Sequence, residues 1–246
     1  MGDKVIVITG ANGGLGRALA QRFASDGDKV VLLGRTLAKV EEVAQAIGPN
    51  ALAVACEVTS AASVRAAFAE IAKVHPKIDV LINNAGIFNP FLIEEASDEQ
   101  ILDGVLTNLA GPMFVSRSAI PMLGRGGLII NISSESVDVP FPHLLVYQST
   151  KAGLERFSQG LHAEWEDKGI RVTTVRAGQM VGPGSSANMD PEAGMRFFQA
   201  ALARGINPME RGVTQYDSTT GLFRYLVDLP ADMHIAVASF EARKPG

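Results

Sequence analysis

Six short apolar runs recur along the chain: KVIVIT (4–9), KVVLL (29–33), ALAVAC (51–56), DVLIN (79–83), GLIINIS (127–133) and RVTTV (171–175). They carry β-branched residues and show little apolar-polar alternation, which is the pattern of strands buried on both faces. Between them apolar residues return at helical spacing. Leu37, Val40, Val43, Ala44 and Ile47 form one stripe, ended by Gly48-Pro49, and Val64, Ala67, Phe68 and Ile71 form another, opened by Thr59 or Ser60. A third helix, expected over about 98–120, starts at Ser97. There Ser-Asp-Glu-Gln has the form of a capping box with acids in the first turn, and the stripe runs through Ile101, Val105 and Leu109. Further helices are expected at about 147–167 and 214–227, and a last strand in MHIAVASF (233–240). Strand and helix thus alternate, which predicts right-handed crossovers and an α/β doubly wound parallel sheet of about seven strands with helices on both faces. Neither a linker nor an internal repeat interrupts residues 1–246, so one domain is expected. The segment 181–208, with three prolines and a short helix carrying Met195, Phe197 and Phe198, reads as an insertion.

The first strand runs into TGANGGLG (9–16) and then into a helical stretch. Glycine spacing alone is a weak signal. At the first strand-to-helix junction, however, Gly10, Gly14 and Gly16 allow a tight turn and close approach of a pyrophosphate to the helix's free N–H groups, so a dinucleotide site is expected. Asn12 and Leu15 belong to the same turn. The end of the second strand then bears on which dinucleotide. A carboxylate there would accept from a ribose 2′-hydroxyl, but the chain has Gly34-Arg35. Gly34 removes bulk and negative charge, and Arg35 either forks onto a 2′-phosphate or merely caps the strand in solvent. NADP(H) is favoured over NAD(H).

Composition narrows the remaining classes. The 246 residues are 47% hydrophobic, enough for a well-buried core, and 22 basic residues against 26 acidic ones give a net charge of −4 with no basic stripe. No nucleic-acid partner is expected. Cys56 is the sole cysteine and excludes an internal disulfide; its apolar run marks it as a buried, inert thiol. The four histidines are scattered, so no catalytic metal is expected. The opening MGDKVIVITG has no positively charged leader and too short an apolar run for a signal peptide or a span, so the protein is expected to be cytoplasmic, with no membrane partner.

VYQSTK (146–151) places Tyr147 and Lys151 on one helical face. In isolation that is an ordinary surface pair. Ser134, however, ends the fifth strand thirteen residues earlier. Together with Thr9-Gly10-x-x-x-Gly14-x-Gly16, NNAG (83–86) and Asn108, these residues make the chain resemble the short-chain dehydrogenase/reductase family in its single-domain form, a Rossmann-type fold. The matches span residues 9–151 in the family's order.

The resemblance implies that Tyr147 is the proton donor or acceptor and that Ser134 orients the substrate oxygen. Lys151 would hold the nicotinamide ribose, and Asn108 would support a water-mediated proton relay. The chemistry is coherent on its own terms. A phenol of pKa ~10 needs about 4 kcal/mol of help to act near pH 7, and an ammonium about 4 Å away supplies about that much at an effective dielectric of 20. The family also places Glu57 and Val58 at the adenine and Asn84 of NNAG in support of the sheet and the adenosine ribose. After the sixth strand it has Pro-Gly and then a threonine near the carboxamide. This chain has Ala177-Gly178 and then Gly182, which leaves Met180's backbone as the expected contact.

The family implies a homo-oligomer, a tetramer. In the helix over 147–167, Leu154, Phe157 and Leu161 beside Ala152, Ala163 and Trp165 offer more apolar surface than one sheet face needs. The substrate is expected to be a small, fairly apolar secondary alcohol or ketone, because Phe88, Phe91, Phe141, Pro142, Leu144, Met189 and Phe198 fall in the segments that should form the pocket, although ordinary core packing accounts for any one of them. Glu135 and Asp138 beside Ser134 either repel an anion or point to water. A dinucleotide-binding regulatory subunit with little turnover is the other reading; it would not need Asn108, Ser134, Tyr147 and Lys151 together.

Overall fold

A computed structural model describes residues 3–183 and 190–244. Seven strands form one parallel sheet: β1 (Val5–Thr9), β2 (Lys29–Gly34), β3 (Ala51–Ala55), β4 (Ile78–Asn83), β5 (Leu123–Ser134), β6 (Arg171–Ala177) and β9 (Val237–Phe240), in the order β3-β2-β1-β4-β5-β6-β9. The helices are α1 (Gly14–Ser25), α2 (Leu37–Ile47), α3 (Ala61–Val74), α4 (Asp98–Val105), α5 (Gly111–Ala119), α6 (Leu145–Trp165), α7 (Pro191–Ala203) and α8 (Tyr216–Val227). A separate two-stranded ladder, β7 (Met180–Val181) with β8 (Thr214–Gln215), brackets the segment that the sequence marks as an insertion. Met189 lies outside the described residues.

The runs of β1 to β6 are largely apolar because each of these strands feeds two cores, whereas the edge strand β9 packs on one. Ile6, Ile8, Val30, Leu32, Val80, Ile82, Leu128, Ile130 and Ile132 face one side, against Leu19 and Phe23 of α1, Val40 and Val43 of α2, and Phe223 and Leu226 of α8. Val7, Val31, Leu33, Leu81 and Ile129 face the other, against Val64, Phe68 and Ile71 of α3, Val115 and Ala119 of α5, and Leu161 of α6. At roughly 2 kcal/mol for each such buried side chain, the two faces supply the main drive to fold.

Capping follows the sequence. Ser60 opens α3 by accepting from Ser63 N, and Ser97 with Gln100 forms the expected capping box. Two expectations need correction. The helix over 98–120 is not continuous: α4 passes through a π-helical stretch, Leu106–Ala110, before α5 resumes, with Gly111 N donating to Leu106 O. The last strand is also shorter than MHIAVASF, because side chains take the bonds that would have extended the ladder. Arg171 donates to Met233 O at 3.1 Å, Thr173 Oγ1 donates to Ile235 O at 2.8 Å, and His234 Nε2 lies 2.9 Å from Val172 O.

Strand order reverses between β1 and β4, since β1 pairs with β2 on one side and β4 on the other. The crevice beyond the carboxyl ends of β1 and β4 is therefore where a doubly wound sheet binds a ligand. Among the described residues, no helix is long and apolar enough to cross a membrane, and no group of three or more His, Cys, Asp or Glu side chains could hold a metal ion.

Candidate active site

The glycine-rich turn sits at that crevice and is fixed to its neighbour strand. Thr9 Oγ1 accepts from Asn84 N and Ala85 N at 3.0 Å each, and Asn84 Nδ2 donates to Thr9 O at 3.0 Å and to Gly10 O at 3.3 Å. Gly10 and Gly14 adopt left-handed φ angles of +65° and +53°. Gly16 has no room for a side chain, because a Cβ there would lie 2.5 Å from Gly10 O and 2.6 Å from Asn84 Nδ2. Helix α1 then begins with neither a side-chain cap nor an acid in its first turn, so its N–H groups and positive dipole end remain available to an anion. That glycine cradle fits the pyrophosphate of a dinucleotide. Leu15 is buried in the core, so what it offers a ligand is its backbone.

At the end of β2, Gly34 is explained partly by packing: a Cβ there would meet Val40 Cγ1 at 2.8 Å and Asn12 Oδ1 at 3.4 Å. Arg35 stands exposed beyond it. Of the expected adenine contacts, Val58 has its side chain buried against Gly111, and Glu57 Oε1 already accepts from Thr59 N at 3.2 Å and Thr59 Oγ1 at 3.0 Å. Met180 is paired with Thr214 in the small ladder. Gly178 follows β6 where a Cβ would come within 2.8 Å of Phe240 O.

Four side chains gather beside the turn. Ser134 is the last residue of β5, and Tyr147 and Lys151 occupy the first two turns of α6. Asn108 lies in the π-helical stretch, where it is 1% exposed. Its amide is doubly bound to one residue: Oδ1 accepts from Ile87 N at 2.8 Å and Nδ2 donates to Ile87 O at 2.9 Å. Gly86 makes the gathering possible. A Cβ there would lie 3.2 Å from Asn108 Oδ1 and 3.5 Å from Lys151 Nζ. Lys151 donates to Ile132 O at 2.8 Å, and its Nζ lies 5.6 Å from the Tyr147 ring centroid. Ser134 Oγ accepts from Ser136 N at 3.1 Å and hydrogen-bonds the Tyr147 phenol.

The electrostatics differ from the expectation. Burial raises the Tyr147 pKa above its ordinary value; the hydrogen bond with Ser134 pulls it down and the Glu135 carboxylate adds to the rise. Burial also lowers the Lys151 ammonium to about 8. The lysine therefore does not by itself create a phenolate: its charge is costly to bury and is committed to the Ile132 carbonyl. Cys56 matches its expected inertness, with its thiol pushed up to about 11 by burial and then by Glu57.

Around Tyr147 the aromatic rings form a wall. Phe88 meets Tyr147 edge-on at 5.2 Å, Phe197 meets Phe88 at 6.0 Å, and Phe141 lies 6.1 Å from Phe197. Phe197 of α7 thus fills the place expected for Phe198. An ion pair between Arg196 and Glu95 ties α7 to the loop after β4. Pro142 and Leu144 are buried beneath, and Phe91 N donates to His143 O at 2.8 Å. Glu135 is neutralised, whereas Asp138 shares its one cation with Glu155. Glu135 pairs with Arg211, which also stacks over Phe141 at 5.5 Å, and Asp138 pairs with Arg176 at 2.6 Å. The electrostatic argument against an anionic substrate therefore falls for Glu135, while the cluster of Asp138, Arg176 and Glu155 keeps one net negative charge. A second support lies one turn beyond Lys151, where buried Glu155 accepts from Ser133 Oγ at 2.7 Å and from Arg176 at 2.7 and 2.8 Å, locking α6 to β5 and β6. Motif spacing does not reveal Arg211 or Glu155, because each matters through a contact distant in sequence; Gly86 lies in NNAG and Phe197 on the expected short helix, but what each meets is set by the fold.

The comparisons agree with this architecture. A serine 3-dehydrogenase of Rhizobium radiobacter is 33% identical over 208 residues, covering 83% of this chain and 82% of that protein. Carbonyl reductase family member 4 of Danio rerio is 33% identical over 196 residues, covering 79% and 82% respectively. The crystal structure of a 3-ketoacyl-(acyl-carrier-protein) reductase from Brucella melitensis, complexed with NADH, superposes with a TM-score of 0.83 at 27% identity over 98% of this chain and 97% of that one. The family model for short chain dehydrogenases matches residues 4–192, and with the parallel sheet and its glycine cradle this makes the chain an oxidoreductase of the short-chain dehydrogenase/reductase family.

Proposed function

We propose that the chain interconverts a secondary alcohol and a ketone with NADP(H), on a small, fairly apolar substrate, as a cytoplasmic homotetramer. The observation that carries the reading is the convergence of Ser134, Tyr147, Lys151 and Asn108 beside a glycine cradle at the sheet's switch point. A dinucleotide held on the glycine cradle would supply hydride chemistry, to a carbonyl carbon in reduction or from a carbinol carbon in oxidation. In reduction the neutral Tyr147 phenol gives its proton to the carbonyl oxygen, and its raised pKa keeps that proton in place at neutral pH. Ser134 shares a hydrogen bond with the phenol and orients the same oxygen. Lys151 holds the nicotinamide ribose and offsets the phenolate charge left behind. Asn108, clamped to Ile87, supports the water relay that returns a proton.

Gly10, Gly14, Gly16, Asn12, Leu15, Asn84, Glu57, Val58 and Met180 are proposed to line the dinucleotide, and Gly34-Arg35 to prefer the 2′-phosphate. The aromatic wall of Phe88, Phe141 and Phe197 supports an apolar substrate. The names of the relatives, a dehydrogenase of serine and reductases of carbonyls, support chemistry at a carbinol or carbonyl carbon. Incubation with NADPH and a panel of ketones, followed by loss of NADPH absorbance, tests the proposal. Oxidation of NADPH by one or more ketones is expected, and binding without turnover across ketones and alcohols would overturn it in favour of a regulatory subunit.

A further inference from the structure

Tyr216 stands where no sequence motif points. It is the first residue of α8, and its ring lies between two glycines far apart in the chain. On one side, a Cβ at Gly182 would sit 2.4 Å from Cδ2 of the ring and 2.9 Å from Cε2, so this ring position and a side chain at 182 exclude one another. On the other side, Cζ and the hydroxyl oxygen each lie 3.5 Å from where a Cβ at Gly14 would be, so the hydroxyl end of the ring stands over the glycine-rich turn at the space its missing side chain leaves. The placement is built in. Val181 pairs with Gln215 in the β7–β8 ladder, so Gly182 and Tyr216 each follow directly on a paired residue. The ring also packs on the core that α1 and α8 share.

The turn's exposed groups are backbone N–H donors at the positive end of α1, and an anion lodged there is bound by hydrogen bonds. A phenol on a two-torsion arm adds a further donor at little entropic cost. We propose that Tyr216 is a cofactor-binding residue whose hydroxyl donates to the pyrophosphate of the dinucleotide lying on the Gly14 turn. Glycine at 182 is the complement of this arrangement: it gives up its own side chain to admit the ring, and the hydroxyl arrives from α8. The inference rests on the dinucleotide reading above.

Calorimetric titration with two ligands separates the two. NADPH carries the pyrophosphate, whereas adenosine 2′-monophosphate carries the adenosine and the 2′-phosphate with no phosphate on its 5′ oxygen. Tyr216→Phe keeps the ring and its packing, and should weaken NADPH about tenfold, the size of one hydrogen bond to a charged group, while leaving the monophosphate within about twofold. Equal weakening of both ligands, or unchanged NADPH affinity, would overturn the inference. So would tighter NADPH binding by Tyr216→Ala, which would make the ring an obstruction. A wild type that binds neither compound refutes the dinucleotide reading and this inference together.

Discussion

Replacing Lys151 by methionine should stabilise the protein while abolishing turnover. The side chain is 5% exposed, and burial brings its pKa from 10.5 to about 8. That difference of about 2.5 units corresponds to about 3 kcal/mol by which folding disfavours the ammonium relative to the neutral amine. Below pH 8 both folded and unfolded chains are protonated, so the whole penalty is present. Between pH 8 and 10.5 the unfolded chain holds a proton that the folded chain has released, so wild-type stability rises with pH across that window. Methionine keeps the length without the charge. Losing the 2.8 Å hydrogen bond to Ile132 O gives back about 1 kcal/mol, leaving the variant about 2 kcal/mol more stable at pH 7. Its advantage should shrink by about 2 kcal/mol at pH 9.5, where the wild type has shed most of the penalty. Urea unfolding followed by circular dichroism, at one protein concentration and at both pH values, measures this directly. A variant less stable than wild type at pH 7, or a stability difference that does not change with pH, would refute the reasoning.

Tyr147→Phe should lower kcat at least a hundredfold with NADPH affinity nearly unchanged, since the edge-on packing with Phe88 survives while the transferable proton is gone; a loss under about tenfold would remove Tyr147 from its role. Arg35→Asp should move the ratio of kcat/KM for NADPH to that for NADH toward NADH by at least about tenfold; a wild type already preferring NADH would contradict the cofactor assignment. For the oligomer, light scattering should give about four times the 26.0 kDa protomer mass. Leu102→Glu on α4, at a side chain 56% exposed, should dissociate the oligomer, and an unchanged assembly would place the interface elsewhere.

The central strands were legible because each is buried on both faces, and a chain that must satisfy two cores leaves unbroken apolar runs; the edge strand β9, half exposed, was the one whose extent was misjudged. The site was legible wherever chemistry dictates spacing, as at Gly10, Gly14 and Gly16 or at Tyr147 and Lys151. What stayed hidden depends on partners. Leu154 and Leu161 have helical spacing, but nothing local says whether a sheet or a second subunit covers them; in the fold both are buried within the protomer, and Phe157 and Trp165 pack against the same core. The surplus apolar surface inferred from that helix is therefore mostly accounted for, and Phe157→Glu would damage the fold before testing assembly. Phe197 and Phe198 are adjacent, and only the docking of α7 selects which one faces Phe88 and Phe141. The charge of Glu135 was visible, but its neutralisation by Arg211 was not.

The π turn between α4 and α5 makes residue count a constraint in its own right. Gly111 N reaches back five residues to Leu106 O, one more than an α-helical turn spans. Deleting any one residue from 106–110 would restore a regular helix and rotate everything beyond it by about 100° relative to α4. Val115, Ser116 and Ala119 would then leave the sheet, or Asn108 would be pulled from its clamp on Ile87. Substitutions in this stretch should therefore be tolerated far better than changes in its length, whereas the exposed glycine at 124, where an added side chain would meet open space, marks a place where changes can be absorbed.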